Sequence, residues 1–75
     1  MAMEEGLQKI NSLEQKIDTT EYNIEVSNRI IDETPYDNQR EKLIEKNTQR
    51  QHALGSMKKE IRDMKQKIIE RSKEI

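Results

Sequence analysis

Isoleucine recurs at every seventh position in the first half of the chain. These isoleucines define position a of a heptad repeat: Ile10, Ile17, Ile24 and Ile31. The matching d positions, three residues further on, are Leu13, Thr20, Ser27 and Thr34. An apolar repeat of this period, kept over about four heptads, predicts a helix that packs along a coiled-coil seam.

The same heptad continues in the second half of the chain. Its a positions are Asn47, Leu54, Ile61, Ile68 and Ile75. Its d positions are Leu43, Arg50, Met57, Met64 and Arg71. The methionines at d are interpreted as core packing residues rather than as a methionine-rich binding surface. The pattern therefore predicts a second coiled-coil helix.

A single proline, Pro35, separates the two heptad regions. Proline disfavours helix at the residue before it, and the Asp37-Asn38 pair that follows favours a turn or a helix cap. We therefore expect a first helix over residues 4–33, a turn over 34–38 and a second helix over 39–74, with Asp37 or Asn38 as its cap.

Folding the chain at this turn predicts an all-α protein of one domain, residues 1–75, built as an antiparallel two-helix coiled-coil hairpin. Residues that meet across the seam have numbers that sum to about 74, so Ile17 faces Met57 and Leu13 faces Ile61. The predicted apolar seam consists of Ile10, Leu13, Ile17, Ile24, Ile31, Leu43, Leu54, Met57, Ile61, Met64 and Ile68.

Three seam positions are polar: Ser27, Asn47 and Arg50. A buried polar layer fixes the register or oligomeric state of a coiled coil at some cost in stability. Two other interpretations stay open, namely exposure where the helices splay apart and a contact site for a partner.

The charge of the chain is divided between its halves. Residues 1–34 contain eight acidic and three basic side chains, which gives −5, whereas residues 35–75 contain seven acidic and eleven basic ones, which gives +4. Opposite charges favour packing of the two halves side by side.

A lone hairpin of this size should be only marginally stable. Hydrophobic residues make up 31% of the chain and charged residues 39%, and so short a chain rarely stabilises itself by core burial alone. Four further aliphatic residues outside the seam widen its apolar stripe: Leu7, Ile30, Ile44 and Ile69. We therefore expect self-association, with a homodimeric four-helix bundle as the prediction and a tetramer as the open alternative.

The sequence offers no catalytic, cofactor-binding or metal-binding motif. It has no cysteine, and its single histidine, His52, falls at an outward-facing heptad position. Adjacent acids such as Asp32-Glu33 point in different directions on a helix and are interpreted as solvated charge. Gly55, within the second helix, is interpreted either as a tolerated surface glycine or as the site of a kink or a close helix approach. These features predict a protein that is not an enzyme and needs no cofactor.

Lys58, Arg62 and Lys65 share one face of the second helix and form a possible basic surface. Such a face suits a phosphate backbone, but acidic residues interleave with it and the two tyrosines lie elsewhere, which disfavours nucleic acid as a partner. No apolar stretch approaches the length of a membrane span, so a membrane is not an expected partner. The expected partners are a second copy of the chain or another protein.

One family resembles this chain in detail. The residues that indicate it are Glu45–Arg50, Ala53 and Met57–Asp63, with Asn23–Glu25 upstream and the apolar positions Ile10, Leu13 and Ile17 in step. Over residues 10–63 these segments resemble Tlp, the thioredoxin-like small acid-soluble spore proteins of spore-forming bacteria. Met64 stands where that family has an acidic residue. The resemblance implies a protein of the spore interior without a defined catalytic role.

Three functional hypotheses follow. The first is a non-enzymatic coiled-coil protein in the cytoplasm, or in the spore core as the resemblance implies. The second is a small helical interaction module, an adaptor or inhibitor that offers a helical face to another protein and that a phage could encode. The third, which the interleaved acids disfavour, is a nucleic-acid binder that uses the basic face of the second helix.

Overall fold

The fold consists of two long helices joined by three residues. The computed structural model describes residues 3–73, and side chains over residues 5–73. Helix α1 spans Met3–Glu33 and helix α2 spans Asp37–Lys73. The two helices pack against each other in a rod of 60 × 15 × 15 Å. The prediction of an all-helical protein with two packed helices is confirmed.

The chain reverses direction at Thr34-Pro35-Tyr36. The Thr34 hydroxyl donates a 2.6 Å hydrogen bond to the Ile30 carbonyl, one of the last four carbonyls of α1, which have no partner within the helix. Pro35 cannot continue the helix, because it lacks the N–H that the next helical bond needs. The Tyr36 carbonyl then accepts a 3.1 Å bond from the Arg40 N–H, which opens the first turn of α2.

Helix α2 begins two residues earlier than the sequence pattern indicated. The expected turn over residues 34–38 is shorter, because Asp37 and Asn38 already lie in the helix and Tyr36 precedes its first residue. The predicted cap role of Asp37 or Asn38 is therefore wrong. Asp37 instead lies in the first turn, where a carboxylate interacts favourably with the positive end of the helix dipole. The expected helix end at residue 74 and the a position at Ile75 lie outside the described residues.

The core is a single row of side chains between the helices. Its buried apolar members are all at position a: Ile10, Ile17, Ile24, Leu54 and Ile61. Four partly buried residues pack against them: Leu13, Met57, Met64 and Ile68. Two helices cannot enclose a row on every side. Accordingly, among the described residues no side chain is less than 2% exposed.

The remaining predicted seam residues, Ile31 and Leu43, are half-buried near the turn. The four aliphatic residues outside the seam are 44–49% exposed: Leu7, Ile30, Ile44 and Ile69. Leu7, Ile30 and Ile44 occupy the e and g positions that flank the seam, and Ile69 occupies position b.

Gly55 lies in the unbroken middle of α2 and is exposed. A methyl group added at its Cα would meet no atom within 4 Å. The interpretation of Gly55 as a point of close helix approach is therefore wrong, and the surface interpretation agrees with the structure.

Candidate functional site in the helix seam

A polar layer interrupts the apolar row one third of the way from the turn to the open end of the hairpin. Ser27 and Asn47 are 6% and 8% exposed, and Arg50 is half-buried beside them. One guanidinium nitrogen of Arg50 donates to the Ser27 hydroxyl oxygen at 2.8 Å and to the Asn47 side-chain oxygen at 2.9 Å. The structure therefore brings the three polar seam residues into one hydrogen-bonded cluster across both helices.

A fourth residue, Asn28, completes this cluster and was not singled out from the sequence. The Asn47 side-chain amide donates to the Asn28 side-chain oxygen at 3.0 Å, and a longer contact of 3.5 Å reaches the Ile24 carbonyl. Asn28 is exposed and occupies position e, which flanks a seam layer. A polar residue at e beside a polar a–d layer is the signal that would have identified it.

The polar layer is internally satisfied. Among the described residues, no buried side-chain nitrogen or oxygen lacks a hydrogen-bond partner. A buried polar group without a partner costs about 1–3 kcal/mol, so the network stabilises only the alignment that pairs all its members. Sliding α2 by one heptad would bring Arg50 opposite Ile17 or Ile31 and would separate it from Ser27. The geometry therefore fits a role in setting register.

Two ion pairs join the helices along one side of the seam. The Lys58 ammonium lies 3.6 Å from a Glu21 carboxylate oxygen, and the Lys65 ammonium lies 3.8 Å from a Glu14 carboxylate oxygen. These four side chains are 51–61% exposed, so each pair contributes at most about 1 kcal/mol. The opposite charges of the two halves thus meet as their sequence distribution indicates.

The predicted basic surface is part of this same side of the hairpin. Lys58 and Lys65 each lie beside an acid of α1, and Arg62 is exposed between them. In the part of the chain that the structure describes, Arg62 has no ion-pair partner. The basic residues therefore border an acidic row rather than standing alone.

The described region offers little for catalysis. No group of three or more His, Asp or Glu side chains within it is arranged to hold a metal ion. His52 is exposed on the outer surface of α2. The surface depressions are open grooves, such as one of about 480 Å³ lined by residues that include Lys9, Glu60 and Asp63. Neither helix, over residues 3–73, is long and apolar enough to cross a membrane.

Comparison with known proteins places this helical pattern in a family. The family model for "Small, acid-soluble spore protein Tlp" matches residues 7–70, which is 64 of the 75 residues. No curated protein and no solved structure matches the chain. The match covers most of both helices, the three-residue connection and the polar layer. The chain therefore belongs to the family of small, acid-soluble spore proteins Tlp.

Proposed function

We propose that this chain is a non-enzymatic protein of the spore interior that acts as a self-associating helical hairpin. The observation on which the proposal rests is the family match over residues 7–70, which covers most of both helices and the turn. The hairpin itself supports it, because its polar cluster is hydrogen-bonded between the two helices and its ion-paired charges lie on the surface.

The charge composition gives a physical account of acid solubility. In dilute acid the 15 Asp and Glu side chains take up protons and become neutral. The 14 Lys and Arg side chains and the one His then give a side-chain charge of +15. Chains of 9.0 kDa with this charge repel one another and stay dissolved, particularly because only two residues are aromatic.

The surface area of the hairpin supports self-association into a four-helix bundle. The chain exposes 6254 Å². A compact monomer of 9.0 kDa would expose roughly 4,900 Å², so the hairpin has an excess of about 1,400 Å². A standard protein interface covers about 800 Å² on each partner, and a second copy would therefore remove much of this excess.

The location is tested by fractionating spores of the source bacterium. Dormant spores are stripped of their coats, broken and extracted with dilute acid, and the extract is compared by quantitative mass spectrometry with an extract of growing cells. We expect the protein in the acid extract of the stripped spores and not in growing cells. An equal amount in growing cells would contradict the proposal and would favour a general interaction module.

The non-enzymatic role is tested in the same organism with two replacement alleles. One allele encodes Arg50→Ala, which removes two hydrogen bonds of the polar layer, and the other encodes His52→Ala, which removes the only histidine. We expect the amount of the protein in spores to fall with Arg50→Ala. With His52→Ala, we expect both the amount of the protein and the spore phenotype to stay unchanged. A phenotype of His52→Ala at normal protein content would indicate chemistry at that side chain.

A further inference from the structure

One broad side of the hairpin has opposite charges on its two helices. It is formed by heptad positions b and e of both helices, and its charged members within residues 5–73 are exposed. From α1 it receives acids only: Glu14, Asp18, Glu21 and Glu25. From the facing stretch of α2 it receives bases only: Lys58, Arg62 and Lys65. We call these seven residues the charge-split face.

The charged groups of this face can bind a second molecule in addition to their partners within the chain. The two ion pairs that cross it, at 3.6 and 3.8 Å, leave more than half of each side chain exposed. Each carboxylate accepts several hydrogen bonds and each ammonium donates three, so a second partner can be bound at the same time. Within the described residues, neither Asp18 nor Arg62 has an ion-pair partner.

The open end of the same side is apolar. Leu7 at position e of α1 and Ile69 at position b of α2 are each 49% exposed there. Toward the turn the pattern differs, since both helices have acids on this side, among them Asp32 and Glu41. Favourable contacts for a like surface are therefore concentrated between the middle of the hairpin and its open end.

We propose that a second copy of this chain docks on the charge-split face, with the turns of both hairpins at the same end. A two-fold axis along the length of the hairpin places α1 of one copy opposite α2 of its partner, so that acids face bases twice. The same operation brings Leu7 of one copy near the partner's Ile69, which anchors the open end. This inference rests on the self-association proposed above.

The alternative two-fold arrangement is electrostatically unfavourable. An axis across the hairpin would place α1 opposite the partner's α1, so that Glu14, Asp18, Glu21 and Glu25 would face the same four acids. Like charges held together at an interface cost several kcal/mol. Charge complementarity therefore selects the arrangement with both turns at one end. Contact weakens toward those turns, where acids of both copies approach.

A charge exchange tests which face is used. The variants are Asp18→Arg, Arg62→Asp and the double variant, measured by sedimentation equilibrium at low salt. The matched controls are Lys59→Asp and Asp63→Arg, which change the charge by the same amounts at positions outside the face. Each single change introduces two repulsive contacts in a symmetric dimer, so we expect its dissociation constant to rise by about tenfold or more. The double variant should recover most of the loss.

Three outcomes separate this inference from the proposal on which it rests. A wild-type mass of 9.0 kDa at every concentration would overturn both the self-association and the face. A wild-type dimer that Asp18→Arg and Arg62→Asp weaken no more than the controls do would overturn the face alone. Weakening by both single variants without recovery in the double variant would overturn the arrangement in which α1 of one copy faces α2 of its partner.

A disulfide test determines the relative direction of the copies. The chain has no cysteine, so a mixture of two single-cysteine variants reports which positions meet between copies. Leu7→Cys and Ile69→Cys lie where the two copies are proposed to meet, and Gln8→Cys, the neighbour of Leu7, lies about 100° further around the helix. We expect a covalent heterodimer when Leu7→Cys is mixed with Ile69→Cys under mild oxidation, and little when Gln8→Cys takes the place of Leu7→Cys. Equal cross-linking in both mixtures, or none between Leu7→Cys and Ile69→Cys in a verified dimer, would overturn the arrangement.

Discussion

At the scale of single residues, Asn47 is the junction of the polar layer. Its side chain accepts a hydrogen bond from Arg50 and donates one to Asn28, so it links the cluster within α2 to α1. Each member of the network needs the others, because a seam with a partly satisfied polar cluster is less stable than a seam with an apolar one.

Replacing Asn47 by alanine should therefore lower the free energy of unfolding by about 1–3 kcal/mol, because it removes a buried side chain and takes a partner from Arg50. Urea unfolding followed by circular dichroism measures the change. Thr48→Ala is the control, since Thr48 is exposed and its hydroxyl bonds only to a carbonyl of its own helix. If Asn47→Ala is as stable as the control, the layer does not hold the seam together.

Gly55 gives a prediction of the opposite sign. Alanine has a higher helix propensity than glycine by about 1 kcal/mol, and a methyl group at this position meets no atom within 4 Å. Gly55→Ala should therefore raise the free energy of unfolding by roughly that amount. Ser56→Ala, at the next position, should give a smaller gain of about 0.5 kcal/mol, since serine is a better helix former than glycine. A loss of stability in Gly55→Ala would show a close contact at this surface.

At the scale of helices, the heptad pattern was sufficient to identify the packing surfaces. Position a contains all five buried apolar residues, because the period of seven keeps one side of each helix toward the other. The apolar d positions are more exposed, and Leu13, Met57 and Met64 cover the edges of the row. The sequence predicts which positions form the seam but not how far each is buried, because Ile31 and Ile68 at position a are half-buried while Ser27 at position d is buried.

Other features of the helices could not be read from the pattern. The beginning of α2 at Asp37 depends on how Thr34 and Tyr36 satisfy backbone groups around Pro35, and several turns fit that composition. Asn28 is an exposed polar residue among many, and its bond to Asn47 depends on the helix rotation that the three-dimensional packing sets. Periodicity identifies faces, whereas caps and flanking contacts are decided by geometry.

A buried and an exposed isoleucine of α1 provide a matched test of the seam. Ile17 at position a is 9% exposed, whereas Ile30 at position g is 44% exposed. Ile17→Asp places an unpaired charge in the row and should abolish most of the helical signal in circular dichroism at room temperature. Ile30→Asp should leave that signal nearly unchanged. Similar loss in both variants would mean that the helices do not depend on this seam.

At the scale of the whole molecule, attraction between an acidic and a basic half supplements a thin core. The halves, at −5 and +4, meet through exposed pairs whose members are screened by dissolved salt. This distribution of charge makes stability depend on ionic strength more than it would in a protein with a fully enclosed core.

Raising the sodium chloride concentration from about 0.05 M to about 0.5 M should therefore lower the free energy of unfolding by up to about 1 kcal/mol, measured by urea titration at a fixed protein concentration. The variant Glu14→Gln/Glu21→Gln lacks both acids of the cross-helix pairs and should show a weaker salt dependence. A wild-type protein that salt stabilises would contradict a net attraction between the halves.

The short connection between the helices also determines the order in which the hairpin can close. Contacts near the turn join residues close in sequence, whereas Arg50 and Ser27 are already 23 residues apart and the open end is more distant still. Because the entropic cost of closing a loop grows with its length, pairing is expected to advance from the turn like a zipper. The residues of the polar layer therefore pair before the main apolar row of Ile10, Ile17 and Ile61 does. A misaligned chain would leave Arg50 without its partners at this early step, when little apolar surface is buried and reopening is still fast. We therefore expect the layer to reject wrong alignments early in folding.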